Sequence, residues 1–306
     1  MSRQRELLAR RRTVHFWSNS VKRPGGLNAQ MFIEDIGLQV APIGGRVRDR
    51  PDFTARCDPE DELTEGRVMA ALDPWRQHRH HDLAEVVCEF VRNHAQHLAA
   101  FGEEHFELLA ADGDVALVPL GPTGVRRIGP WLLQVPPAQV AAQSGHRFTR
   151  LTPAQSWTLR LPPSLGPTWR HRRMLRGLGL RATSPQWAYD AMLAGRQTDF
   201  DQAMHQRLIN ERILRRTRRW NWPAREMGSG TMTVYEQMRR RLLFGLRLTE
   251  LREHILRETN AIFSRVNLGA TLSFEGLPST DEIRAALGTL ESGSKPFTDL
   301  LPVIRW

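Results

Sequence analysis

Between residues 233 and 263 the chain reads TVYEQMRRRLLFGLRLTELREHILRETNAIF, and its apolar positions recur at helical steps. Phe244, Leu248, Leu251, Ile255 and Ile262 fall three, four or seven apart, and Tyr235, Met238 and Leu242 continue the stripe toward the start. Thr233 followed by Glu236 is the spacing of a capping box, so the helix has a marked beginning. Some 30 residues at about 1.5 Å each make a rod of roughly 45 Å, which suggests packing against other elements or other chains. A second stripe, Leu83, Val86, Val87, Phe90, Val91 and Leu98, predicts a helix from about Asp82 to Phe101. After it the pattern changes period. HFELLAA, the tight-turn pair Asp112-Gly113 and VALVPL predict an antiparallel hairpin, and WLLQVP and SWTLRLP predict further short strands.

From 167 onward helices dominate: PQWAYDAMLAG, then DFDQAMHQRLINERILRRTRRW, a Pro-Gly break, and the long rod. ATLSFEGL reads as a strand and STDEIRAALGTLESG as a helix opened by Ser279 or Thr280, with Asp281 and Glu282 in its first turn. The expected class is α+β, mostly helical, with a small antiparallel hairpin or wing region and long stem or assembly helices. Four regions follow: 1–60 as a basic N-terminal arm, 61–165 as an α/β wing, 166–232 as stem-like or clip-like helices with a tunnel-loop turn, and 233–306 as the long helix, a strand, a helix and a tail.

Composition adds a charge problem. The 306 residues carry net charge +10, and lysine occurs only at Lys22 and Lys295, so arginine supplies the excess. Guanidinium pairs bidentately with phosphate or carboxylate, which leaves two readings of equal weight: a polyanionic partner, or salt bridges between chains. Cys57 and Cys88 have no paired spacing, which supports neither a disulfide framework nor a zinc ribbon and fits a reducing compartment. No apolar run is long enough to span a bilayer and the basic N-terminus precedes no apolar signal core, so no membrane partner and no export are expected.

The candidate chemistry is sparse. Arg215, Arg216, Arg218, Arg219 and Arg225 interleave with Trp220 and Trp222, a pattern that neutralises phosphates and stacks bases. The same pattern arises when tryptophans are buried at a helix end and arginines reach outward. WRHRRMLRG at 169–177 poses the same choice. The GSG at 228–230 is either a phosphate cradle or a hinge into a capped helix. His78, His80 and His81 precede the helix that bears Cys88, His94 and His97, and His105 follows; His94 and His97 share a helical face, but the spacing matches no zinc pattern. No metal and no cofactor is expected. Neither a nucleophile elbow, a P-loop nor paired acids with a lysine occurs, so no enzyme is expected.

The order of these pieces resembles the portal proteins of tailed bacteriophages, the head-to-tail connector family. LAAFGEEHFELLAADGDVALVPLGPTGV resembles the portal segment in which a helix ends at a glycine and a hairpin leads into a line matched by Leu117, Pro119, Leu120, Pro122 and Val125. SWTLRLPPSLG sits where portals have the strand before the stem. INERILRRTRRWNWPAREMGSGTMTVYEQMRRRLLF is similar to the portal run through a helix and a proline turn into a long helix. LREHILRETNAIFSRVNLGATLSFEGLPSTDEIRAALGTLESG resembles the close of that helix, the following strand and the last helix.

The resemblance spans about 80–295. It implies a non-enzymatic homo-oligomeric ring of twelve copies at one capsid vertex of the virion, assembled in the host cytoplasm. Its channel would carry double-stranded DNA in packaging and ejection, and it would dock the major capsid protein, the terminase and the head-tail adaptor proteins. On this reading Phe244, Leu248, Leu251, Arg252 and Ile255 meet neighbouring subunits, and the arginine-tryptophan run lies near the tunnel. The other reading is an arginine-rich nucleic-acid-binding protein of a phage or mobile element.

Overall fold

The computed structural model describes residues 3–14, 25–43, 52–75, 82–122, 124–179, 202–224, 233–294 and 296. In chain order these form α1 (Arg3–Ala9), α2 (Leu27–Gln39), β1 (Thr54–Asp58), α3 (Glu62–Leu72), α4 (Leu83–Phe101), β2 (Glu103–Ala111), β3 (Asp114–Leu120), β4 (Val125–Ile128), β5 (Trp131–Gln134), α5 (Ala138–Ser144), β6 (Thr149–Leu151) and β7 (Ser156–Arg160). There follow α6 (Thr168–Leu178), α7 (Gln202–Thr217), α8 (Val234–Arg265), β8 (Thr271–Glu275) and α9 (Thr280–Ser292). The class is α+β. PQWAYDAMLAG, the HRHH run, the GSG and Arg225 lie outside the described residues.

Two compact units divide the chain, and both are discontinuous in sequence. The first takes Met1–Val21, Ala41–Arg160 and Arg252–Leu277; the second takes Lys22–Val40, Leu161–Leu251 and Pro278–Trp306. This division differs from the four consecutive regions expected above, and the described segments of 1–60 are packed into the two units. Leu7 of α1 is buried with Leu109, Ala116 and Val118 of the hairpin, α2 belongs to the second unit, and β1 pairs antiparallel with β8. The composition of 1–60 hides this, because its short apolar segments find partners only far along the chain.

In the first unit, α4 begins where the Asp82 carboxylate accepts the Glu85 N–H at 2.7 Å and ends at Gly102, whose φ of 81° closes the last turn. All six residues of its expected stripe are buried. The chain returns as β2, the middle strand of the order β3-β2-β7, with Phe106 opposite Trp157 and their rings stacked at 4.5 Å. Asp112 and Gly113 both take positive φ, 52° and 82°, the geometry of a two-residue turn that matches the twist of the hairpin. A second small sheet, β4-β5-β6, follows. The C-terminal part of α8 also belongs here. Asn260 clasps the backbone N–H and C=O of Leu272 at 2.9 Å each, tying that helix to β8.

The N-terminal segment is fixed by polar groups as well as by Leu7. Buried Glu107 accepts the N–H of Arg12 at 2.8 Å, the N–H of Thr13 at 3.1 Å and the Thr13 hydroxyl. Gln134 pairs both ways with Val14, accepting its N–H at 2.9 Å and donating to its carbonyl at 2.8 Å. Hydrogen bonds to a charged group such as the Glu107 carboxylate contribute about 1.5–3 kcal/mol, and bonds to one acceptor are not additive. Glu107→Ala is therefore expected to lower stability by about 2–3 kcal/mol in urea unfolding, and to expose the Arg12–Thr13 bond to trypsin while the wild type resists cleavage there.

In the second unit, α8 opens with the expected capping box: Glu236 N–H donates to the Thr233 hydroxyl at 3.2 Å and Thr233 N–H to the Glu236 carboxylate at 3.3 Å. Met238, Leu242 and Leu246 pack on Ile283, Ala286, Leu287 and Leu290 of α9, whereas Tyr235 is turned to solvent. Ser279 and Glu282 cap α9 reciprocally, so Ser279 is the cap and Thr280 the first helical residue. Glu250 gathers Arg247 at 2.7 Å and Arg284 at 3.5 Å, and Arg239 meets Glu291 at 3.1 Å.

Candidate nucleic-acid interface

The arginine-tryptophan run separates into two populations. Trp220 is 1% and Trp222 0% exposed. Both rings stand edge-on to Phe32 of α2, at 5.3 and 5.5 Å, and the Trp222 indole N–H donates to Asp35 at 2.9 Å. They are core, and their faces are covered by protein; of the two readings of the run this is the buried one, and the stacking role named for them is corrected accordingly. Arg215, Arg216 and Arg218 are exposed, and Arg219 is half-buried. Two of these guanidiniums occupy space that glycine leaves: Arg216 lies over Gly177, and Arg219 over Gly166, where any Cβ would collide with it.

Helices α6 and α7 pack together through short apolar stripes. His171, Leu175 and Leu178 are buried on α6, and Ile209, Ile213 and Thr217 on α7. The outward positions of α6 are Trp169, Arg170, Arg172, Arg173 and Arg176; those of α7 include Arg212, Arg215 and Arg216. Trp169 is 58% exposed, with the Arg170 guanidinium 5.0 Å from its ring centre. Between 163–179 and 208–224 there are nine arginines and one acidic residue, Glu211. Glu211 meets Arg215 at 3.4 Å, but both are well exposed, and such a pair offsets little. A surface with this density of guanidinium groups attracts a polyanion or an acidic surface.

Sequence reasoning finds the arginines of α7 and leaves those of α6 undecided; the structure brings the two sets onto packed helices. The long-helix positions behave otherwise. Phe244, Leu248, Leu251, Arg252 and Ile255 are all buried within the chain. Burial also draws the Arg252 guanidinium down to about 10. These side chains have no free surface for a neighbouring subunit, so the interface role expected for them is corrected: a helix stripe that clears solvent looks the same in sequence whether its cover is the same chain or another.

No family model matches the chain, and no match to a curated protein was found.

The histidines form a cluster of a different kind. His94 and His97, one turn apart on α4, both face Glu104, the second residue of β2: Nδ1 of His94 lies 2.7 Å from one carboxylate oxygen and Nδ1 of His97 2.6 Å from the other. Burial raises the Glu104 carboxyl, but the two imidazoles outweigh it and hold it down at about 2, so the group is an anion. Sequence reasoning finds the two histidines and misses the glutamate. The available signal is its place just past Gly102, where a chain reversing from helix to strand returns alongside the last helical turns. Cys57 and Cys88 are free and buried, and burial pushes their thiols up to about 11 and about 12.

Proposed function

We propose that the chain is a portal-type subunit, one copy of a homo-oligomeric ring around double-stranded DNA at a capsid vertex. The observation that carries this reading is the order of elements. A helix closed by a left-handed glycine leads into a hairpin whose central strand is then paired by β7; helices follow, and a long capped helix, a strand and a last helix complete the series. That is the order on which the portal resemblance rests. The arginine-covered helices supply a surface for duplex phosphates. Ile128, Val135 and Phe148, on and beside the β4-β5-β6 sheet, are exposed apolar side chains and supply surface for a neighbouring protein. The capsid protein, the terminase and head-tail adaptors are the partners such a ring has, and the virion vertex is its place.

A second reading is favoured by one feature, the arginine face with an exposed tryptophan beside it: a monomeric or dimeric protein that grips nucleic acid directly. Mass in solution and negative-stain images separate the two. The ring reading expects annular particles with a mass many times 35.0 kDa and a hole the width of a duplex. A particle of one or two chains at high concentration, retarding DNA in a gel, overturns it in favour of the second.

A further inference from the structure

We propose that His94, His97 and Glu104 form a binding site for one divalent transition-metal ion of the zinc or cobalt class. The three side chains each offer one ligand atom, and all three atoms lie within 4.8 Å of one another. Two imidazole nitrogens and one carboxylate oxygen are a donor set that favours transition ions over magnesium or calcium, which take oxygen ligands. A tetrahedral ion held by these three side chains takes its fourth ligand from water. His97 is the half-exposed member of the set.

The ligands stand on ordered elements. His94 and His97 project from the last turns of α4, and Glu104 is held in register by pairing with Leu159 of β7. The His94 ring is fixed edge-on between Phe90, at 4.1 Å, and Phe106, at 5.0 Å. Charge supplies a further reason for an ion here. Glu104 is 2% exposed, and its ion-pair partners among the described residues are these two imidazoles. A buried carboxylate has to be satisfied by donors or a cation; the two Nδ1 atoms supply hydrogens in one arrangement, and a metal ion in their place supplies another. On binding, each Nδ1 gives up its hydrogen and keeps its lone pair for the ion, while Nε2 carries the ring hydrogen. Tetrahedral zinc places its ligand atoms about 3.3 Å apart; each Nδ1 now faces a different Glu104 oxygen, at 2.7 and 2.6 Å, and the three ligand atoms lie within 4.8 Å, so the set brackets that spacing and side-chain rotation has to bring it to one ion. The ion then ties the end of α4 to the start of the hairpin.

Chelator-treated full-length protein is titrated with Co²⁺ and followed by visible absorption, with Zn²⁺ as competitor. The expected result is one equivalent per chain, an intense ligand-field band, displacement by zinc, and a rise in melting temperature with either ion. His97→Ala is expected to abolish the band and the metal-dependent rise while leaving the circular dichroism spectrum unchanged, because its side chain is partly exposed. Glu104→Gln is expected to lose the band as well. Replacing His78, His80 and His81 with serine should leave the stoichiometric band intact. Absence of a stoichiometric band in the wild type overturns the proposal. So does a band that survives His97→Ala and vanishes with the three serines, since that places the ion on the HRHH run.

Discussion

Trp222→Ala is expected to lower the unfolding free energy by about 3–5 kcal/mol, as buried large-to-small aromatic substitutions do. The indole has no solvent exposure, stands edge-on to Phe32, and donates its N–H to Asp35, which lies on a helix more than 180 residues earlier in the chain. Truncation removes the ring packing, leaves a cavity, and takes away a hydrogen bond to the buried Asp35 side chain. Trp222→Phe keeps part of the packing and loses the N–H, so its cost is expected to be smaller, about 1–3 kcal/mol. Urea unfolding followed by tryptophan fluorescence and circular dichroism measures both. If the indole were a stacking platform for bases, the alanine variant would keep its stability and lose DNA affinity; a change in unfolding free energy below about 1 kcal/mol would contradict the core assignment.

The same residue shows what can be read from the chain alone. Local signals are legible wherever the partner lies within a few residues: the Thr233–Glu236 and Ser279–Glu282 caps, the Asp112-Gly113 turn, and the apolar stripe of α4. Nothing adjacent to Trp222 announces Phe32 or Asp35, and nothing near Glu107 announces Arg12 and Thr13. Such pairings depend on how distant segments condense. For that reason residues 1–60 read as an arm, and for that reason the carboxylate facing His94 and His97 escapes a sequence reading. Charge is legible in amount and not in placement. The arginine count leaves an anionic partner and salt bridges between chains equally open, and only folding shows that Arg216 and Arg219 lie over glycines, and that α6 carries four exposed guanidiniums away from its buried stripe.

Those four guanidiniums carry the other large expected effect. Changing Arg170, Arg172, Arg173 and Arg176 together to serine is expected to weaken duplex DNA binding about 10²–10³-fold at physiological salt, because each phosphate that is no longer neutralised keeps its counterions instead of releasing them. The slope of log affinity against log salt should become shallower by about 0.9 per phosphate, or roughly 3–4 for the set. Stability should change little, since the side chains are exposed. Arg126, Arg127 and Arg147, exposed in the first unit, provide a control that lowers net charge to a similar degree. The serine control at those positions is expected to retain most of the affinity; equal losses from both sets would mean that only net charge matters and would remove the special role of α6. An electrostatic surface of this kind is also compatible with a channel. Phosphates present the same charge at every step along a duplex, so arginines facing them hold DNA without fixing its register and let it slide. A ring whose arginines instead meet acidic faces of neighbouring copies would respond differently: the four serines would then break the assembly into single chains, which the mass in solution reads directly.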